Sequence, residues 1–112
     1  MADRRAGVSV VLVTAPDGQV AEKLGRALVE ERLAACVNIV PGVISLYRWE
    51  GSVQKEGEVL MVAKTTTLGF EALRRRVLEL HPYEAPEVIA LEVRDGDPGY
   101  LAWVRDEVGR DS

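Results

Sequence analysis

An α+β sandwich is the fold class this sequence predicts: two helices on one face of a four-stranded antiparallel sheet, followed by a short terminal helix. Three observations lead there. Apolar strand-like runs alternate with segments of helical spacing in the order β-α-β-β-α-β-α. The two central runs, from Cys36 to Thr67, are separated only by Glu50-Gly51-Ser52, which is a hairpin signal. Two βα units with a hairpin between them form the split βαβ arrangement, whose first hairpin strand lies at a sheet edge.

Each element has its own warrant. Val8 to Thr14 is a short apolar run, predicted as a buried strand, with residues 1–7 ahead of it expected to be a disordered tail of one single domain spanning 1–112. The run is too short for a signal-peptide core or a membrane span. Asp17 is placed to cap a helix over about Gln19 to Arg32, where Val20, Leu24, Ala27 and Leu28 share one side. In the first hairpin strand, Pro41 lacks an amide donor, so the strand should be an edge or carry a bulge at Pro41-Gly42. Glu58 to Lys64 is almost unbroken in apolar residues, as expected of a strand covered on both faces. The second helix, about Leu68 to Leu80, lines up Phe70, Leu73, Val77 and Leu80 and pairs Glu71 with Arg74 and Arg75. His81-Pro82-Tyr83-Glu84-Ala85-Pro86 is a stiff loop, Glu87 to Val93 the last strand, and Tyr100 to Val108 the terminal helix.

Length then makes a prediction about assembly. Fourteen extended residues span roughly 48 Å, against roughly 35 Å for a globule of this size. The hairpin should project, and its far end carries Leu46, Tyr47 and Trp49. Copies of the same chain are the expected cover for it.

Composition bounds the partners. A net charge of −4 argues against a nucleic-acid or anionic-membrane surface and is compatible with cations. The one basic run, Arg74-Arg75-Arg76, is flanked by Glu71 and Glu79 and reads as a solvated face. A single cysteine excludes an internal disulfide, and a cytoplasmic location is expected.

Candidate chemistry is sparse. Cys36, between Ala35 and Val37, reads as a small buried hydrophobe; as a nucleophile it lacks an activating neighbour, and as a metal ligand it would have to act with His81. His81, the only histidine, sits at a helix C-terminus, where it would cap or fix the loop, or else ligate a metal. One Cys and one His cannot fill a four-ligand site alone, so such a site would be shared between subunits or completed by carboxylates such as Glu84 or Glu87. Lys64 and Glu58 share a strand face, as do Tyr47 and Trp49. They describe either an amphipathic subunit interface with Lys64 paired to a carboxylate, or an inter-subunit ligand cleft, and Tyr83, Glu84 and Trp103 belong to the same two readings. No phosphate loop, dinucleotide fingerprint or paired-histidine zinc helix is present, and no enzyme is predicted.

Several motifs together resemble the CutA family. They are Thr14-Ala15-Pro16, Glu31-Arg32-Leu33-Ala34-Ala35-Cys36-Val37-Asn38, Pro41-Gly42, Ser45 with Tyr47, Trp49, Glu50 and Gly51, Lys64-Thr65-Thr66, His81-Pro82-Tyr83-Glu84 with Pro86-Glu87, and Tyr100-Leu101 with Trp103-Val104. The likeness runs from about Val10 to Val104. It implies a ferredoxin-like subunit in a PII-like homotrimer whose long hairpins wrap around neighbours. It further implies a role in tolerance to divalent cations, with Cu2+ or another divalent metal as a ligand not required for folding. Members implicated in copper binding carry a cysteine just before Thr-Ala-Pro and paired histidines before Pro-Tyr. Here those positions hold Val13, and Leu80 with His81. Beside the divalent-cation reading stand a PII-like sensor of a small anionic metabolite, held by Lys64, Tyr47 and Trp49, and a structural adaptor trimer without a small ligand.

Overall fold

Seven elements follow one another in the order the periodicity predicts: β1 (Val8–Ala15), α1 (Gly18–Glu30), β2 (Cys36–Trp49), β3 (Ser52–Thr66), α2 (Phe70–Leu80), β4 (Val88–Glu92) and α3 (Pro98–Glu107). The computed structural model describes residues 7–109. The expected N-terminal tail, Gly7 apart, lies outside the described residues.

The strands form one antiparallel sheet in the order β2-β3-β1-β4, the ferredoxin-like arrangement. Odd-numbered positions of β1 and β3 face α1 and α2. Val11, Val13, Ala15, Val59, Met61 and Ala63 meet Ala21, Leu24 and Leu28 of α1 and Leu73 and Val77 of α2 in the main core. Helix and sheet come close at Gly25 of α1, where a methyl group would sit 3.3 Å from Val37 Cγ1 and that side chain would have to give way. A second, smaller cluster joins Val8 and Ala35 to Val104, with Leu101 of α3 and Val108 just beyond that helix packed against it.

Local chemistry sets the boundaries. The Asp17 carboxylate accepts from the Val20 amide at 2.9 Å and starts α1. Arg32, at φ 59, ends the turn after α1 in a left-handed conformation usually left to glycine, and its guanidinium reaches Glu107 at 3.0 Å. Asp97 caps α3 through the Tyr100 amide at 3.0 Å, so that helix starts at Pro98, ahead of the expected Tyr100. Gly69 caps α2, which starts at Phe70 because Thr66 to Gly69 make a turn instead of helix.

The hairpin projects. The molecule measures 51 × 28 × 22 Å with a radius of gyration of 14.8 Å, against roughly 13 Å for a compact chain of this length. β2 is an edge strand and also carries the bulge: pairing with β3 shifts between Val40 and Val43, with Gly42 at φ 80.

Within the chain β3 is covered on one face only. Val59, Met61 and Ala63 are buried, whereas Leu60, Val62 and Lys64, pointing the other way, are half-buried. That second face also carries Val10 and Leu12 of β1, Val40 of β2, and Ile89 and Leu91 of β4, the last three of these residues exposed. Among the described residues no helix is long and apolar enough to cross a membrane.

Candidate functional site

The second sheet face has an apolar floor with a polar group at each end, and the sequence dictates both groups through register. Past the bulge, Val43 pairs with Glu58, Ser45 with Glu56 and Tyr47 with Gln54, so Tyr47, Glu56 and Glu58 all project from the face that carries Leu60 and Val62. Tyr47 Oη donates to Glu56 Oε1 at 3.0 Å, and Tyr83, arriving from the loop after α2, donates to Glu58 Oε2 at 2.8 Å. Two phenols thus meet two carboxylates spaced two residues apart. Burial, then the hydrogen bond to Glu58, pushes the Tyr83 hydroxyl up to about 12. The hydrogen bond to Glu56 raises Tyr47 in the same direction.

His81 supports this end from below. It is 7 % exposed, its Nε2 lies 2.8 Å from the Thr14 carbonyl oxygen, and its Nδ1 accepts the Tyr83 amide at 3.1 Å. The Tyr83 ring packs on the imidazole with centroids 4.7 Å apart. The cap and loop-fixing reading of His81 therefore has a concrete form.

At the other end, Lys64 Nζ donates to Asn38 Oδ1 and lies 4.0 Å from Cys36 Sγ. The expected carboxylate partner of Lys64 is replaced by an amide oxygen and a sulfur. Tyr100 of α3 comes against Cys36 and packs at a tilt on Trp103 with centroids 5.7 Å apart. Burial first, and the Cys36 sulfur second, raise the Tyr100 hydroxyl.

The residues singled out in the sequence thus fall into separate places. Tyr47, Glu58 and Tyr83 come together. Lys64, Cys36 and, through Tyr100, Trp103 form the other group. From Gln54, the partner of Tyr47, to Lys64 is ten residues of β3, about 34 Å, so one chain does not close a cleft around both. Trp49 stands at the hairpin tip, 61 % exposed, and Glu84 is exposed in the loop. Glu56 was overlooked in the sequence, although the period-two spacing of Glu56 and Glu58 could have revealed it. Nothing in the sequence signals the Thr14 carbonyl or the Asn38 contact, which depend on register.

The metal expectation meets a geometric obstacle. Cys36 pairs with Lys64, which lies opposite Val10, whereas His81 is bound at Thr14, four residues further along β1. That separates the two by about 14 Å in strand length alone. Among the described residues, no three His, Cys, Asp or Glu side chains come together to hold an ion. The described residues of a single subunit therefore offer copper no three-ligand set.

Comparison with known proteins places these features among relatives. The family described as CutA1 divalent ion tolerance protein matches residues 9–107. The divalent-cation tolerance protein CutA of Thermus thermophilus is 53% identical over 100 residues, covering 89% of this chain and 97% of that relative. Protein CutA of Mus musculus is 50% identical over 97 residues, covering 87% of this chain but 55% of the mouse protein, so the chain spans about half of that relative. The solved structure of the Thermus thermophilus protein superposes with a TM-score of 0.90 at 52% identity, covering 91% of this chain and 99% of that one. CutA1 from Oryza sativa superposes with a TM-score of 0.90 at 42% identity, covering 95% and 96%.

Proposed function

The chain belongs to the CutA1 divalent ion tolerance family, and from that premise we propose that it serves as a non-enzymatic, cytoplasmic homotrimer in the response to divalent metal ions. The observation that carries the assembly is the second sheet face. Val40, Ile89 and Leu91 lie exposed on it, and the hairpin beyond leaves Ile44, Leu46, Trp49 and Val53 each more than half exposed. Burying apolar surface contributes roughly 25 cal/mol per Å2, and the described residues leave these side chains uncovered. Hairpins that wrap around neighbouring copies, as in a PII-like trimer, cover both faces at once.

Divalent cations, copper among them, would be met by groups that two subunits contribute jointly, because the described residues of one subunit supply no set of three. The non-enzymatic reading is supported by the single histidine, whose nitrogens are committed to backbone groups. Native mass spectrometry of metal-stripped protein titrated with copper and zinc tests the reading. It should give a trimer that takes up ions in a fixed ratio to the assembly. A monomer, or a trimer that stays bare at every ion concentration, would count against it.

One observation favours a second reading, a PII-like sensor of a small anionic metabolite. Lys64 contacts an amide oxygen and a sulfur instead of a carboxylate, which leaves its charge unneutralised by those partners. In a Trp103→Phe background, Trp49 emission should then respond to an anionic metabolite. A flat signal across a broad panel would argue against the sensor.

A further inference from the structure

The resemblance implies a metal ligand at His81, and the geometry points elsewhere: we propose that His81 is a hydrogen-bonded latch for the strap of residues 81–87, and not a ligand for copper or another divalent ion. The two ring nitrogens decide it. The Tyr83 amide can only donate, so Nδ1, 3.1 Å away, is the unprotonated nitrogen and its lone pair points at that amide. A neutral imidazole then carries its proton on Nε2, which donates to the Thr14 carbonyl 2.8 Å away. Contacts on both sides fix the tautomer. A metal ion needs a free lone pair. At Nδ1 it would have to displace the Tyr83 amide, and at Nε2 it would have to remove the proton and strand the Thr14 carbonyl. Either loss would fall at a nearly buried ring, with the Tyr83 ring packed against it.

The neighbours reinforce the point. Val13, where the resemblance implies a cysteine, is wholly buried in the core, and Leu80, where it implies a second histidine, packs against the same core. Glu58, the carboxylate the strap reaches, already accepts the Tyr83 hydroxyl.

The latch has a definite task. Between the end of α2 at Leu80 and the start of β4 at Val88 the chain must cross the end of the sheet. His81 fastens this crossing to the last turn of α2 through its amide on the Val77 carbonyl and to β1 through Thr14. Holding the Tyr83 amide then sets the Tyr83 side chain onto Glu58 of β3. His81, through its amide and its ring, and Tyr83, through its hydroxyl, thereby tie α2, β1 and β3 together at the foot of the hairpin.

The test separates this inference from the proposed function, since ions bound elsewhere on the assembly leave His81 untouched. Long-range nitrogen–proton correlation spectra of the full, metal-stripped protein should show the Nε2–H tautomer at neutral pH, unmoved by an equivalent of zinc. Copper and zinc uptake by His81→Asn should match the unsubstituted protein within about twofold. The Asn oxygen can still accept from the Tyr83 amide, so His81→Asn should lose less thermal stability than His81→Ala, whose midpoint should fall by about 5 °C. A stoichiometric zinc-induced shift of the His81 ring signals would overturn the latch, even if neither variant folds. A tenfold loss of copper affinity in His81→Asn would do the same.

Discussion

Tyr83 and Tyr47 each donate a hydrogen bond from the hydroxyl to a glutamate of β3, and the two glutamates sit two residues apart on one face. Those bonds require phenols that keep their protons, so they fail in alkali. The sign follows from Tyr83. Its hydroxyl in the folded chain is pushed up to about 12, above the ordinary value of 10.0. The contribution is complete below pH 10, where the unfolded phenol also keeps its proton, and it is lost as pH rises toward 12. Tyr83→Phe should therefore destabilise the chain by about 1 kcal/mol at pH 8 and flatten the fall in stability between pH 10 and 12. Urea unfolding at matched protein concentration and several pH values measures both; a variant with an unchanged alkaline slope would remove Tyr83 from the explanation. At this scale the sequence was only partly legible. His81 as a loop-fixing group could be read from its place at a helix C-terminus, whereas Tyr83 stayed between a subunit interface and a ligand cleft. That Lys64 would face Asn38, and that Cys36 and His81 would lie at different levels of the sheet, depends on register, which a list of residue types does not contain.

The elements were the most legible part, because each carries a local signal. Asp17 and the Val20-Leu24-Leu28 stripe mark α1, and Pro41-Gly42 marks both an edge and a bulge. Where boundaries moved, a particular contact moved them: Asp97 draws α3 back to Pro98, and the turn at Thr66 to Gly69 delays α2. Arg32 in a left-handed conformation was not foreseeable, since its φ is sustained by distant partners, Glu107 and the Gly109 amide. The bulge allows a direct check. Gly42 sits at φ 80 with open space around its α-carbon, so a methyl group clashes with nothing and costs only backbone strain. Gly42→Ala should lower stability by about 1–2 kcal/mol in urea unfolding. An unchanged midpoint would mean that the bulge adopts another conformation in solution.

For the molecule as a whole, the balance between buried and exposed apolar surface is the controlling fact. The core under α1 and α2 is closed, and the opposite face is not. The sequence hinted at this through a hairpin longer than the globule and a strand apolar on both sides. A single chain satisfies one side only. Leu91→Glu and Ile89→Glu place a charge on that open face without touching the core, and either should shift the protein toward monomers. The measurement closest to the central claim is sedimentation equilibrium of the metal-free protein at micromolar concentration. The account expects a species of three times the 12.3 kDa chain mass. A species of a single chain mass at the same concentration would contradict it.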